Sequence, residues 1–181
     1  MGPGIFGGGV MYSMGDNKIA VGMIAALDWK YNDFNVQDAL ARFKEHRRVS
    51  RYIEGGVVVE AGAKMIPEGG YYSLPRDEAS GAIGRGNVLI VGDSAGFVNM
   101  LKIKGLHNAI DSGRMAGITA AEHIDAPLAA ARVYTRLVDG SRVMAELKSA
   151  KHFRHTIGKF GMLMGMPLSV LNGLLPMLRV E

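Results

Sequence analysis

The chain has 181 residues, of which 48% are hydrophobic, and a formal net charge of +4 at pH 7. This length and hydrophobic content predict a folded protein with one substantial core or two small ones, and they exclude a wholly disordered chain. Because the sequence contains no cysteine, the chain cannot form disulfides, cysteine-ligated zinc sites or iron–sulfur clusters, and it has no thiol nucleophile.

The first motif along the chain is G-x-G-x-x-G, at residues 2–7. In a dinucleotide-binding fold this motif follows a buried strand and opens a helix. Residues 10–27 instead contain a Gly-Asp-Asn turn signal between two β-branched segments, which predicts a β-hairpin. We therefore reject a phosphate-binding role for these glycines. The first residues also lack the pattern of a secretory signal, so we expect the chain to stay inside the cell.

The next segments predict a mixture of strands, a helix and a loop. Residues 18–27 predict a buried strand, and residues 57–63 predict another. Between them, residues 36–46 predict a short amphipathic helix with Leu40 and Phe43 facing inward. Residues 66–75 contain two prolines and a Gly-Gly pair, which predict a shaped loop or edge segment.

The second half of the chain predicts one strand followed by helices. Residues 87–92 have the clearest strand pattern in the sequence. A helical pattern then covers residues 105–123, and a longer one covers residues 128–150.

The end of the chain combines a basic segment with an apolar one. Residues 132–159 carry seven Lys or Arg against two acids, a local net charge of +5. Residues 160–178 carry no charge and approach the length of about 20 apolar residues that spans a bilayer. Glycines, Asn172, Pro167 and Pro176 favour a broken hairpin at a membrane interface over a continuous helix.

Other interpretations of this end remain open. The apolar segment could also form a pair of core helices under another domain. The basic segment could also be a solvated helix face or bind an acidic partner. We favour a membrane surface, because basic residues beside an apolar segment are attracted to anionic lipid. We expect no nucleic-acid binding, because no aromatic platform accompanies the basic residues.

Residues 88–124 carry the clearest chemical signal. A hydrophobic strand ends at Gly92-Asp93, small residues follow, and a helix begins near Gly105. An aspartate at the end of a strand can accept a hydrogen bond from a sugar-like hydroxyl, and the small residues let backbone amides approach a phosphate. The start of the helix offers free N–H groups and a partial positive charge, which would stabilise a ring that gains negative charge.

This stretch resembles the second FAD-binding motif of glutathione-reductase-type flavoproteins. Residues 97–113 contain F-x-N-x-x-K-I-K-G-x-H-x-A-x-x-S-G, which is similar to the electron-transfer flavoprotein:quinone oxidoreductase and FixC-like family. The segments KIAVGMIAALDWKYND, ARFKEH, YIEGG and IPEGGYYSLP resemble the same family in order and spacing.

The resemblance implies an α+β/α/β chain with three parts. Residues 1–86 would form an antiparallel sheet and helix on the quinone side, and residues 87–150 the C-terminal part of a partial glutathione-reductase-type FAD-binding fold. Residues 151–181 would form an apolar, membrane-associating tail after the C-terminal helices.

The resemblance also implies which residues bind the flavin. Gly92 and Asp93 would hold the ribityl and pyrophosphate part of FAD. The isoalloxazine side would be lined by Gly96, Phe97 and Asn99. Backbone amides near the flavin N1 and O2 atoms would come from Gly105 and Leu106. His107 would serve either as a proton donor near the flavin or as a structural hydrogen-bonding residue.

The quinone contacts implied by the resemblance lie at the start of the chain. Gly7 and Gly8 align with a Gly-Gly pair whose backbone contacts the quinone head. No protein group is assigned as catalytic, because the flavin carries the redox chemistry, and no metal site is proposed, because the histidines lack ligand spacing.

The sequence departs from the family pattern in three ways. The N-terminal half of the FAD-binding fold and the iron–sulfur module have no counterpart here, and Leu101 replaces a proline. We therefore expect a fragment or split-gene subunit that needs an N-terminal FAD-domain partner chain to complete the FAD site.

The predicted function is electron transfer from a reduced electron-transfer flavoprotein to membrane quinone, peripherally at the cytoplasmic face. A geranylgeranyl-reductase-type FAD enzyme and a non-catalytic membrane-associated remnant are the alternatives.

Overall fold

The computed structural model describes residues 4–174, and these form two compact units. The first unit comprises residues 4–63 together with Phe160–Met164, and the second comprises Lys64–Lys159 and residues 165–174.

The first unit is built on a β-hairpin. Strands β1 (Gly7–Gly15) and β2 (Lys18–Ala25) pair antiparallel, and the chain reverses at Asp16 and Asn17, with φ of 47° and 55°. Two successive residues with positive φ are typical of the type I′ turn, which matches the twist of paired strands. The predicted hairpin is thus confirmed. The expectation of a buried strand is wrong, because the residues of β2 are exposed or half-buried.

Helix α1 (Val36–Glu45) packs on β2 and is followed by α2 (Arg47–Ile53). Asn35 caps α1 by accepting a hydrogen bond from the N–H of Gln37 at 2.8 Å. Phe43 is half-buried, and a Cβ at Gly9 would overlap its ring. The hairpin therefore needs glycine at this position for α1 to approach it.

The strand predicted at residues 57–63 is wrong. This segment forms no strand, and Val57, Val58 and Val59 are 86%, 72% and 79% exposed. Valine-rich sequence favours a strand only where a neighbouring strand supplies hydrogen bonds and packing, and no described strand pairs with this segment.

The second unit begins with the predicted loop and a short hairpin. Residues 66–75 contain only one 3₁₀ turn, Tyr71–Ser73, as a shaped loop requires. Strands β3 (Gly84–Arg85) and β4 (Val88–Leu89) pair antiparallel. The predicted strand at residues 87–92 is therefore too long, because the chain turns into a 3₁₀ helix at Gly92–Ala95, where Gly92 adopts φ of 57°.

Three helices enclose the core of the second unit. Helix α3 (Leu106–Glu122) confirms the helix predicted over residues 105–123. The single helix predicted over residues 128–150 is wrong, because a turn at Gly140-Ser141 separates α4 (Ala130–Asp139) from α5 (Arg142–Ser149). The largest fully buried side chains include Phe97, Tyr134 and Met144.

The last helix, α6 (Phe153–Leu174), is interrupted at Gly161, which has φ of 70° and ψ of 176°. A Cβ at Gly165 would lie 2.8 Å from the Cα of Ile157, so the segment after the break packs closely on the segment before it. The predicted break in the apolar tail is confirmed, while Pro176 lies outside the described residues. Among residues 4–174, no helix has the length and apolar character needed to cross a bilayer.

Candidate functional site

The candidate site lies at the start of α3, where the turn at Gly92–Gly96 meets the helix. Gly92 and Gly96 adopt φ of 57° and 74°, in the left-handed region that favours glycine. A Cβ at Gly92 would lie 3.2 Å from the Cβ of Ala109, and the N–H of Gly92 donates to Ser112 Oγ at 3.0 Å. Glycine at this position therefore brings the turn directly onto α3.

Asp93 extends from this turn to the start of α3. A Cβ at Gly105 would lie 3.0 Å from Asp93 Oδ1 and 3.1 Å from Val98 Cγ2. Glycine at position 105 thus makes room for the carboxylate beside the first turn of the helix. Asp93 is half-buried, and Leu106, the first residue of α3, is 77% exposed.

The amino end of α3 is open to a ligand. None of the described side chains makes a capping hydrogen bond there, so its first N–H groups keep their donor capacity and partial positive charge. An accessible carboxylate, glycine backbone and uncapped helix amides fit the hydroxyl, phosphate and ring-oxygen groups of a flavin nucleotide.

Phe97 and Asn99 occupy different positions from the other predicted flavin residues. Phe97 is fully buried in the hydrophobic core, so its ring supports the turn from inside. Asn99 is only 1% exposed. Its Oδ1 accepts hydrogen bonds from the N–H groups of Leu101 at 3.0 Å and Lys102 at 3.1 Å. These bonds shape the loop that leads to α3.

Glu146 is a residue of this region that the sequence did not indicate. Its Oε1 accepts from Asn99 Nδ2 at 2.8 Å, and both its oxygens lie 3.1 Å from His107 Nε2. Lys102 Nζ lies 3.3 Å from Oε1. Burial opposes ionisation of this carboxyl, but hydrogen bonds from His107, Asn99 and Lys102 outweigh it, so the pKa of Glu146 lies below its ordinary value.

The contact with Glu146 also gives His107 a hydrogen-bonding partner. An ionised carboxylate only accepts hydrogen bonds. His107 Nε2 therefore bears a hydrogen atom and donates a hydrogen bond to Glu146. This bond is the kind that the structural role of His107 requires.

Glu68, from the loop at residues 66–75, adds a second carboxyl near the turn. Its pKa is raised, first by burial and then by the charge of Asp93, while Arg154 opposes the shift. The carbonyl oxygen of the preceding Pro67 would lie 3.6 Å from a Cβ at Gly96. The loop therefore contacts the glycine turn.

The predicted quinone residues Gly7 and Gly8 belong to the first unit. Gly7 begins β1, and a Cβ there would overlap the carbonyl oxygen of Ile24 on β2. A Cβ at Gly8 would meet nothing within 4 Å, so the backbone of Gly8 is accessible.

The first unit also contains a cavity of about 590 Å³ between α1 and the hairpin. Its lining is mixed. The apolar side chains include Met23, Phe34 and Phe43, and the polar and charged ones are Tyr31, Asp33, Asn35, Asp38, Arg42 and His46. Gly7 and Gly8 are not among its lining residues. A cavity of this size with both apolar and polar lining groups has room for a small molecule.

Comparison with known proteins gives the same family for both parts of the chain. The family model described as "ETF-QO, ubiquinone-binding" matches residues 2–66. The electron transfer flavoprotein-ubiquinone oxidoreductase of Arabidopsis thaliana is 33% identical over 170 residues, which are 94% of this chain and 26% of that protein.

Bacterial relatives agree. The probable electron transfer flavoprotein-ubiquinone oxidoreductase of Acinetobacter baylyi is 32% identical over 90% of this chain and 31% of its own length. The corresponding protein of Pseudomonas aeruginosa is 33% identical over 88% of this chain and 28% of its own length. The chain therefore spans about a quarter to a third of the length of these three relatives.

Proposed function

Because the chain belongs to the electron transfer flavoprotein-ubiquinone oxidoreductase family, we propose that it takes part in electron transfer from a reduced electron transfer flavoprotein to quinone. The flavin would bind at the start of α3. The observation that carries this proposal is the approach of Asp93 to Gly105 beside the uncapped amino end of that helix.

On this proposal, each part of the site has a separate task. Asp93 accepts hydrogen bonds from hydroxyls of the ribityl arm, and Gly92 and Gly96 let the turn approach the cofactor. The N–H groups at Gly105 and Leu106 face the polar edge of the ring, where they stabilise negative charge. The bound flavin supplies the redox chemistry.

We further propose that the second unit is the C-terminal part of a glutathione-reductase-type FAD-binding fold. A separate chain or segment would supply the contacts to the rest of FAD. This arrangement agrees with the small share of each relative that the chain covers.

The quinone would bind in the first unit. The match of residues 2–66 to a ubiquinone-binding family model supports this assignment, as do the exposed position of Gly8 and the cavity beside α1. The hairpin glycines would contact the quinone head through their backbone.

The substrate is membrane-soluble, so we propose that the chain works at a membrane surface without crossing it. Exposed apolar side chains of α6, such as Leu163 at 90% and Met164 at 62%, would enter the interface. The basic residues of α4 and α5 would face anionic headgroups, and the cytoplasmic face is the proposed side.

Flavin retention after Gly105→Ala tests the proposal. The chain is coexpressed with the segment of the Pseudomonas aeruginosa relative that precedes the match, and bound flavin is measured by absorbance at about 450 nm. A methyl group at position 105 would lie 3.0 Å from Asp93 Oδ1, so the carboxylate must move. We expect flavin affinity to fall by about tenfold, or roughly 1.4 kcal/mol.

Gly62→Ala is the matched control, because a Cβ at Gly62 meets nothing within 4 Å. It should leave flavin retention unchanged. Equal retention by the Gly105→Ala variant and the natural chain would contradict the proposal, and so would a complex that contains no flavin.

A further inference from the structure

Residues 99–105 form a loop that precedes α3 and contains an unfavourable backbone conformation. Ile103 adopts φ of 52°, which is rare for a β-branched residue. Its side chain is 65% exposed, so burial contributes little to holding it in place. Such a conformation persists only where surrounding contacts maintain it.

Contacts within the loop account for part of this support. Asn99 and Lys104 exchange backbone hydrogen bonds of 2.9 and 3.3 Å, and Asn99 Oδ1 accepts from the N–H groups of Leu101 and Lys102. The two bonds to Oδ1 depend on the orientation of the Asn99 side chain. That orientation is set from outside the loop, by the hydrogen bond from Asn99 Nδ2 to Glu146.

Glu146 also holds both sides of the strained residue. Lys102 precedes Ile103 and pairs with the carboxylate, while His107, in the first turn of α3, donates to the same group. Because α5 carries Glu146 and buries Val143, Met144 and Leu147 in the core, the carboxylate has a fixed position. Charged hydrogen bonds of this kind are among the stronger ones in proteins.

We propose that Glu146 is the positioning residue that holds the loop at residues 99–105 and the first turn of α3 in their ligand-ready arrangement. It acts through Asn99, Lys102 and His107 and does not touch the ligand itself. Its effect on flavin binding rests on the function proposed above, whereas its effect on the loop is a property of the chain without a ligand.

Amide hydrogen exchange of the flavin-free chain, followed by mass spectrometry, tests this role. In Glu146→Gln the charge is lost, and one carbonyl oxygen cannot replace the two carboxylate oxygens that accept from Asn99 and His107 and pair with Lys102. We expect exchange in the peptide covering residues 99–106 to accelerate by about tenfold or more. Exchange in α4 should stay unchanged.

Glu122→Gln is the control, since it makes the same chemical change at an exposed position on α3. It should leave exchange at residues 99–106 as in the natural chain. Unchanged exchange of this peptide in Glu146→Gln would overturn the proposal, and so would uniform acceleration throughout the second unit.

Two further variants keep the test decisive. Where Glu146→Gln does not fold, Lys102→Gln removes only the exposed contact and should accelerate exchange of the same peptide to a smaller extent. Adding Ile103→Gly to Glu146→Gln should restore part of the protection, because glycine adopts positive φ without strain. No acceleration in Lys102→Gln, or no recovery in the double variant, would overturn the proposed support of the Ile103 turn.

If the natural chain binds no flavin in the coexpressed complex, the proposed function is contradicted. The role of Glu146 is not, because the exchange experiment contains no flavin. The two proposals can therefore fail separately.

Discussion

At the scale of single residues, Glu68 and Asp93 are two carboxyl groups held near one glycine turn. Burial and the charge of Asp93 raise the pKa of Glu68, and Arg154 opposes part of this shift. A raised pKa in the folded state means that ionisation of Glu68 destabilises the fold. Its contribution to stability is fully present below the ordinary value of 4.5 and is lost as the pH rises through the folded pKa.

Glu68→Gln should therefore change the pH dependence of stability. Glutamine does not ionise, so the variant should match the natural chain at about pH 4 and melt roughly 1–3 °C higher at about pH 8. Thermal unfolding at both pH values measures this difference.

Glu78→Gln, at an exposed position ten residues further along the chain, serves as the control. Its melting temperature at the same two pH values measures the effect of the same chemical change at an exposed site. A larger stabilisation of Glu68→Gln at acid pH than at alkaline pH would show that the sign is wrong.

Some residues of the candidate site can be predicted from the sequence and others cannot. The family resemblance implies a set of flavin residues that includes Gly92, Asp93, Gly96 and Gly105, and the structure brings these four together. Glu146 was not predicted, since its partners Asn99 and His107 lie 47 and 39 residues away along the chain. In the sequence, Glu146 is only one of the two acidic residues in the basic segment at residues 132–159.

At the scale of elements, the contact between α1 and the hairpin depends on one glycine. A Cβ at Gly9 would overlap the ring of Phe43, whereas a Cβ at the neighbouring Gly8 meets nothing within 4 Å. Gly9→Ala should lower the free energy of unfolding by about 1–3 kcal/mol, because the ring must move off the sheet. Denaturant unfolding measures this change.

Gly8→Ala is the matched control and should change stability by no more than about 0.5 kcal/mol. On the proposed function it should weaken quinone binding even so, because its backbone is assigned to the quinone head. Equal destabilisation by the two substitutions would contradict the described packing of Phe43.

The elements that the sequence predicts correctly are those fixed by local chemistry. The hairpin depends on the turn at Asp16 and Asn17, and α3 depends on a long helical pattern. The strand predicted around Val57–Val59 fails because it lacks a described partner strand, which is not a local property. The long helix predicted over residues 128–150 fails because the turn at Gly140-Ser141 interrupts a continuous helical pattern.

At the scale of the whole molecule, the two units carry different parts of the proposed activity. Residues 2–66 match the ubiquinone-binding family model, and the residues assigned to the flavin all lie in the second unit. The chain covers 26–31% of the three relatives compared. A complete flavin site on this account therefore includes groups from outside the 181 residues of this sequence.

Photolabelling with an azido derivative of FAD tests the location of the flavin most directly. The coexpressed complex is irradiated, digested and examined by mass spectrometry for peptides of this chain that carry the label. We expect labelled peptides from residues 92–106, with less label in the Gly105→Ala variant. Label confined to the first unit, or to the coexpressed segment alone, would contradict a flavin site at the start of α3.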